Sequence, residues 1–335
     1  MVKDDQKNCC DYGLLSSDDI LTGFVSGETF TNKPVVYSVV DGMAVFEGCI
    51  VLGTAEEMEK KATLIQSGED IQESVVITGQ KYRWPDCLMP YTIDPNLPSI
   101  NKQHINNAMK HWKDKAGMKF VLRTNQTNYV HFRPASGCWS HVGMRGNKQE
   151  IGLASGCGFG ATIHEIGHAW GLWHQQSRED RDQYIKILWQ NITNGREHNF
   201  NQHINDGDDI GPYDYGSIMH YGRYAFSKNG QPTIESIPPG KTLGQRNGLS
   251  NYDIAAIKST YNCNTWQNNK KVLKTFSSVN STNAWAHIQG IGWRKIRETS
   301  NDGVTNVFYA LCEAETSGRN VNVYLDSKHI YRVYL

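Results

Sequence analysis

The chain has 335 residues, and its 34 Lys and Arg residues balance its 34 Asp and Glu residues to a formal net charge of +0. This balance argues against a nucleic-acid partner and against attachment to acidic lipid by charge. No apolar run approaches the ~18 residues that a membrane-spanning helix needs, so we expect no membrane span. The length fits two or three compact units.

Residues 1–74 form a first section that is polar at its start. Its extended segments surround PVVYSVV and AVFEGCIVL, and a charged, helix-like segment, AEEMEKKATLIQSGED, follows them. The section has too few large apolar residues for a core of its own. We therefore expect it to pack against the rest of the chain.

Residues 75–263 form a second section with three predicted helices. Ile105, Met109, Trp112 and Ala116 recur at helical spacing, and GATIHEIGHAWG and LSNYDIAAIKSTYNC contain the other two helices. Ser250 is the candidate N-cap of the last helix, because Asp253 follows three residues later. FVLRTN and YVHFRP alternate like strands. Residues 264–335 also alternate and predict a small β-module.

Eight cysteines are spread along the chain without a CxxC pair, which excludes a zinc ribbon. Scattered cysteines favour disulfides and an oxidising compartment. The N-terminus, MVKDDQKNCC, has no hydrophobic signal core, which fits either a cytosolic protein or a secreted one whose signal peptide has been removed. Because the cysteines favour the second interpretation, we expect a secreted protein.

The segment HEIGHAWGLWH, residues 164–174, carries the chemistry of a metal site. His164 and His168 are four residues apart and share one helix face, so both imidazoles can bind one zinc ion. Gly171 allows the backbone to turn out of the helix, which brings His174 round as a third ligand. Glu165 lies beside the metal as a general base. Three protein ligands leave one position for water, as in hydrolytic sites.

Two alternatives accompany this interpretation. The paired histidines could be satisfied inside a helix core, but the extension to His174 makes a chance match rare. SIMHY, residues 217–221, contains Met219. The extended motif places a methionine on a tight turn beneath the zinc. The alternative is that Met219 is an ordinary core residue. The Tyr221 hydroxyl could ligate zinc at rest or hydrogen-bond the oxyanion. We interpret His220 as structural.

Three segments, HEIGHAWGLWHQQSREDRDQY, YDYGSIMHYGRYAFSKNGQPTI and LGQRNGLSNYDIAAI, together resemble the astacin family of metzincin zinc endopeptidases. The resemblance covers the chain from about Val75 to Cys263. It implies an α+β fold with a two-lobed catalytic domain and one zinc ion per chain. It further implies zinc ligation by His164, His168 and His174, a general base at Glu165, and Tyr221 as a mobile fifth ligand.

The resemblance also implies a disulfide between Cys138 and Cys157, a protein or peptide substrate, and an activating protease. We expect a monomer. The family usually has Glu, which meets the mature N-terminus, where this chain has Gln175, so that ion pair is in doubt. The cysteine that usually pairs with the equivalent of Cys263 is missing. Cys263 is therefore expected to pair with Cys87 or Cys312, or to stay free.

Besides Gln175 and the missing cysteine, the chain departs from the family pattern at a third place, in the prosegment. Family members carry an FxGD motif there, whose Asp occupies the zinc. The corresponding residues here are Phe46-Glu47-Gly48-Cys49. A thiolate is a softer and tighter zinc ligand than a carboxylate, so Cys49 is expected to hold the enzyme latent, similar to bacterial family members with a cysteine switch. The alternative is a disulfide or a buried thiol. A free Cys49 leaves one further unpaired cysteine, expected to be Cys9 or Cys10.

Two rival functions remain open. The chain could be a zinc-binding adhesin or matrix-binding protein without useful catalysis, although Glu165 and Tyr221 argue against that. The C-terminal module could bind carbohydrate or substrate, or simply cover the catalytic domain. Trp266, Trp285 and Trp293 could form a stacking surface there, but aromatic residues in a small β-module more often form its core.

Overall fold

The fold is that of a computed structural model, which describes residues 13–26, 30–67, 75–76, 80–202, 209–261, 263, 265–278, 283–297, 301–326 and 328–335. The chain divides into two compact units, Met1–Thr260 and Tyr261–Leu335. Among the described helices, none is long and apolar enough to cross a membrane.

The N-terminal section contributes four strands and one helix: β1 (Ile20–Ser26), β2 (Lys33–Val40), β3 (Met43–Phe46), β4 (Ile50–Thr54) and α1 (Ala55–Gln66). The short strand β5 (Val75–Val76) lies at the boundary with the next section. β1 to β4 pair antiparallel in chain order. A capping box starts α1, because Thr54 Oγ1 accepts the Glu57 amide and the Glu57 carboxylate accepts the Thr54 amide. The predicted extended segments and helix are therefore present.

The central section of the first unit contains seven strands and three helices: β6 (Leu88–Ile93), α2 (Ser99–Ala116), β7 (Lys119–Leu122), β8 (Tyr129–Pro134), β9 (Trp139–Ser140), β10 (Lys148–Leu153), α3 (Phe159–Ala169), β11 (Ile185–Ile187), β12 (Ile234–Ser236) and α4 (Asn251–Thr260). The three helices match the predicted ones. As predicted, Ser250 and Asp253 form a capping box at α4.

One ten-stranded sheet joins both sections, in the order β5-β1-β2-β3-β4-β9-β10-β8-β6-β7. β4 pairs parallel with β9 at Ile50 and Ser140, which is where the N-terminal strands continue the central ones. The cores join as well, because Val142 packs among Tyr37 and Met58 of the N-terminal section. As expected, the N-terminal section packs against the rest of its unit.

Helix α2 supports α3 from behind. Its buried face includes Ile105, Met109, Trp112 and Ala116, as the spacing predicts. The Trp112 indole donates a hydrogen bond to the Ile163 carbonyl of α3 at 3.1 Å. Between α3 and α4 the described chain has little regular structure. A separate core that includes Phe200, Tyr213 and Tyr221 surrounds the β11–β12 pair there.

The second unit is a closed five-stranded barrel with one helix. Its elements are β13 (Thr265–Ser277), β14 (Ala284–Ile288), β15 (Gly292–Ile296), α5 (Asn301–Ser317), β16 (Asn320–Leu325) and β17 (His329–Tyr334). The strands close in the order β13-β14-β15-β17-β16. The sequence predicted the strands but not α5, although Val304, Leu311 and Ala314 recur at helical spacing and are buried.

The cysteine pairing corrects part of the sequence-based expectation. Cys138 and Cys157 form a disulfide with a Cα–Cα distance of 5.9 Å. Cys263 takes part in a disulfide, as does Cys87, so Cys263 is not free. Cys312 is the second free thiol besides Cys49 in the described part of the chain, so Cys312 is not the partner of Cys263. The expectation for Cys9 and Cys10 falls outside the described residues.

Candidate active site

The three histidines meet because a helix and a glycine turn position them. His164 and His168 lie one turn apart on α3, with ring centroids 4.7 Å apart. The helix ends at Ala169, and Gly171 has φ 98°, a left-handed conformation that favours glycine. The chain then reverses and brings His174 to within 5.3 Å of His164, centroid to centroid. All three side chains are buried.

Four potential ligand atoms surround one point. The Nε2 atom of His164 lies 3.1 Å from that of His168 and 3.3 Å from that of His174. Cys49 Sγ lies 3.5, 3.4 and 3.2 Å from Nε2 of His164, His168 and His174, respectively. The structure therefore brings Cys49 to the three histidines, across more than a hundred residues of sequence.

These distances fit a zinc ion. Tetrahedral zinc with its usual bond lengths places two nitrogens about 3.3 Å apart, and a nitrogen and a sulfur about 3.6 Å apart. The observed separations fall close to both values, and the four ligand atoms lie within 4.8 Å of one another. Imidazole nitrogen and thiolate sulfur are also ligands that zinc prefers.

The remaining ring nitrogens have partners that hold each imidazole in place. His164 Nδ1 donates to the Ile218 carbonyl and His168 Nδ1 to the Leu172 carbonyl, both at 2.8 Å. His174 Nδ1 donates to Glu47 Oε2 at 2.7 Å. A hydrogen bond from Nδ1–H fixes the tautomer whose Nε2 lone pair faces the centre, as metal-ligating histidines require.

Burial sets the electrostatics of the site. It lowers the pKa of His164 and of His168 well below the ordinary value, with help from Arg246 for His164 and from His174 for His168, so both imidazoles are neutral. Burial, and then Glu165 and Glu47, raise the pKa of the Cys49 thiol. A metal ion opposes that shift, since a coordinating thiol is deprotonated.

Glu165 is buried beside the histidines. Burial raises the pKa of its carboxyl well above the ordinary value, against the opposing charge of Arg246. Within the described part of the chain, its Oε2 atom has no hydrogen-bond partner. A buried carboxyl with a strongly raised pKa is typical of a group that exchanges protons with substrate or water.

The segment Glu47–Cys49 enters the site in a strained backbone conformation. Glu47 has φ 45° and Gly48 has φ 69°, and a Cβ at Gly48 would lie 2.8 Å from Phe226. Only glycine fits there without displacing the aromatic ring. The Tyr221 hydroxyl donates to the Glu47 carbonyl at 2.6 Å, so Tyr221 contacts the N-terminal section.

Met219 lies beneath the histidine helix, as the motif predicts. A Cβ at Gly167 would be 2.8 Å from Met219 Sδ, so the glycine on α3 makes room for the sulfur. Asp253 holds the turn, because its carboxylate accepts hydrogen bonds from Ser217 Oγ at 2.6 Å and from the Ile218 amide at 2.9 Å.

Two neighbours of the motif have other surroundings. His220 Nδ1 donates to the Tyr221 carbonyl and its Nε2 accepts from the Tyr213 hydroxyl, both at 2.8 Å. Burial lowers the pKa of His220 to about 4, so the ring is a neutral structural link. The side-chain nitrogen Nε2 of Gln175 is buried without a partner among the described residues.

Sequence reasoning missed three residues of the site: Glu47, Ser177 and Arg246. Glu47 binds both His174 and Ser177, whose hydroxyl donates to Glu47 Oε1 at 2.6 Å. Arg246 donates to the Ile218 and His220 carbonyls on either side of Met219. A charged residue inside the apolar run AVFEGCIVL was the one available indication for Glu47.

The fold and the four-ligand centre have the arrangement of the metzincin class, with two histidines on a helix, a third after a glycine turn and a methionine beneath them. The family model described as Astacin, a peptidase family, matches residues 76–262. The chain belongs to the astacin family.

Similar proteins support this assignment. Blastula protease 10 of Paracentrotus lividus is 39% identical over 231 residues, covering 65% of this chain and 38% of that protein, so the chain spans less than half the length of that relative. Low choriolytic enzyme of Oryzias latipes is 43% identical over 190 residues, covering 54% of this chain and 69% of that protein. A solved structure of high choriolytic enzyme 1, a hatching enzyme zinc-protease from Oryzias latipes, is 38% identical with a TM-score of 0.51, covering 54% of this chain and 93% of that chain.

A solved structure of myroilysin is a distant structural neighbour. It is 20% identical, with a TM-score of 0.40, and the match covers 54% of this chain and 96% of that chain.

Proposed function

We propose that this chain is the latent precursor of a secreted zinc endopeptidase. In this proposal residues 1–74 are the prosegment, residues 75–263 are the catalytic domain and Cys49 keeps the enzyme inactive. The observation that carries the proposal is the position of Cys49 Sγ, within 3.5 Å of all three histidine nitrogens. Catalytic zinc sites keep that fourth position for water or substrate.

Latency in this proposal has a steric and a chemical component. The Cys49 sulfur takes the place of the attacking water, and a thiolate is a stronger zinc ligand than the Asp of other family members. The Glu47 carbonyl engages the Tyr221 hydroxyl at the same time. Both the nucleophile position and a transition-state donor are therefore blocked until the prosegment leaves.

After a cut near Val75, the residues of the chain would share the reaction as follows. His164, His168 and His174 would hold the zinc ion, which would supply Lewis-acid chemistry to the scissile carbonyl and to the attacking water. Glu165 takes the proton from the water and gives it to the leaving amine. The raised pKa of its carboxyl suits this role, because the proton must be held between the two steps. The Tyr221 hydroxyl donates a hydrogen bond to the oxyanion.

The substrate in this proposal is a protein or peptide, and a second protease makes the activating cut. We also propose secretion, on the strength of the disulfides, and a monomeric state. Blastula protease 10 and the choriolytic enzymes are named as proteases or enzymes. The alternative of a catalytically silent adhesin has less support, since it leaves the buried Glu165 without a role.

The test is casein hydrolysis by the purified chain before and after limited proteolysis, with a zinc chelator and a Glu165→Gln variant as controls. We expect no activity before the cut and chelator-sensitive activity after it. Equal activity before and after the cut would refute latency but keep the protease. Silence in both states, with zinc bound, would favour the adhesin.

A further inference from the structure

The C-terminal barrel carries aromatic residues on the outside of two neighbouring strands. Its strands close in the order first, second, third, fifth, fourth, and α5 connects the third to the fourth. This is the topology of the OB-fold, whose second and third strands form a binding face for oligosaccharides and oligonucleotides. The second and third strands here are β14 and β15.

Alternation along the strands separates the inside of the barrel from this face. Ala284, Ala286 and Ile288 of β14 are buried, so Trp285 and His287 point outward. The register places Trp285 between Phe276 and Lys295, and His287 between Lys274 and Trp293. We call these six outward residues the aromatic face.

Two rings of the aromatic face are exposed, and those of Trp285 and His287 are half-buried. Phe276 is 50% exposed and Trp293 is 44% exposed. The Trp285 indole donates to Asn283 Oδ1 at 2.8 Å, and the His287 and Trp293 rings contact each other with centroids 5.3 Å apart. The described core of the barrel is aliphatic. Trp285 and Trp293 are therefore not core residues, which corrects the expectation from composition. The Trp266 side chain lies outside the described residues.

The net charge of the C-terminal module is positive, which favours a negatively charged ligand. Residues 264–335 contain nine Lys and Arg against five Asp and Glu, although the whole chain is neutral. Asp326 follows β16 and accepts hydrogen bonds from Tyr331 and from two backbone amides, so its charge is satisfied within the module. Exposed rings beside lysines favour a ligand that combines flat faces with negative charge.

We propose that the aromatic face binds an acidic polysaccharide, whose sugar rings stack on Trp285 and Trp293 and whose carboxylate or sulfate groups meet Lys274. Single-stranded nucleic acid has a similar combination of rings and charge. The polysaccharide is favoured because the disulfides indicate an oxidising, extracellular setting, where acidic glycans are the abundant polyanions. The module would then hold the protease on a glycan matrix.

The test measures binding of the intact full-length chain to a heparin oligosaccharide by calorimetry and tryptophan fluorescence, with neutral dextran and oligo(dT) for comparison. We expect heparin binding that weakens as NaCl is raised from about 50 to about 300 mM. Trp285→Ala, Trp293→Ala and Lys274→Ala should each weaken it on the order of tenfold. Melting temperatures verify that each variant is folded.

Matched controls come from elsewhere on the chain. Tyr309→Ala removes an exposed aromatic residue from α5, and Lys258→Ala removes an exposed lysine from α4. Both should bind heparin like the parent chain. Heparin binding unchanged in both tryptophan variants would overturn the proposal, as would equal binding of dextran or a preference for oligo(dT). Binding requires no proteolysis, so this result is independent of the proposed activity.

Discussion

Replacing Glu47 with Ala should make the uncut chain leak activity. The Glu47 carboxylate is buried and accepts hydrogen bonds from His174 Nδ1 and Ser177 Oγ. Without it, two buried donors lose their acceptor, at a cost of about 1–3 kcal/mol each. The lower limit for the two donors together is about 2 kcal/mol. With that change, the fraction of molecules whose Glu47–Cys49 segment has left the site rises about 30-fold.

The assay is the initial rate of fluorogenic peptide hydrolysis by the uncut variant, with gels to verify that the chain stays intact. We expect a rate about 30-fold above that of the uncut parent chain, given that free-energy change. After cleavage and removal of the prosegment the two proteins are the same molecule, so their rates must agree. This comparison separates an effect on latency from an effect on catalysis.

The matched control is Glu57→Ala. Glu57 is another carboxylate of the N-terminal section, but the hydrogen bond that it accepts, from the Thr54 amide, belongs to the capping box of α1. A Glu57→Ala chain that leaks as much as Glu47→Ala would mean that general loosening of the prosegment, not the contact with His174, controls latency. An inactive Glu47→Ala chain would refute the reasoning altogether.

Three further outcomes are expected. Cys49→Ala should give casein hydrolysis in the uncut chain, and a silent variant that still binds zinc would contradict the switch. Glu165→Gln should keep its zinc, measured by mass spectrometry, while the processed enzyme loses about 10²–10⁴-fold in kcat; unchanged turnover would exclude Glu165 as the base. Replacing Cys138 and Cys157 by Ser opens a loop with a sequence separation of 19. This should lower the free energy of unfolding, measured by urea denaturation, by about 3 kcal/mol. An unchanged free energy would show that the loop is ordered without the disulfide.

The sequence predicts the histidine centre well because its determinants are local. His164, His168 and His174 lie within one helix and one turn, so spacing alone fixes their geometry. Glu47 reaches the same histidine across 127 residues. No local pattern encodes that contact, because it depends on how β3 and β4 are placed in the sheet.

Longer-range features were correspondingly harder to predict. The N-terminal strands join the central sheet through one pair, Ile50 and Ser140, which leaves no alternation or motif to read. The cysteine partners depend on Cα–Cα distances in the folded chain rather than on sequence order. That is why Cys312, half-buried and close to Thr275, was wrongly offered as a partner for Cys263.

The single sheet that joins the N-terminal strands to the central ones bears on whether the processed protein could refold. β1 to β4 are four of its ten strands, and their side chains cover Trp139 and Val142. If residues 1–74 are released as proposed, those apolar groups are uncovered and β9 becomes an unpaired strand edge. A mature enzyme that unfolds would have to refold without the strands beside which it was first assembled. Maturation would then be a one-way step, with the lifetime of the enzyme set by its unfolding rate.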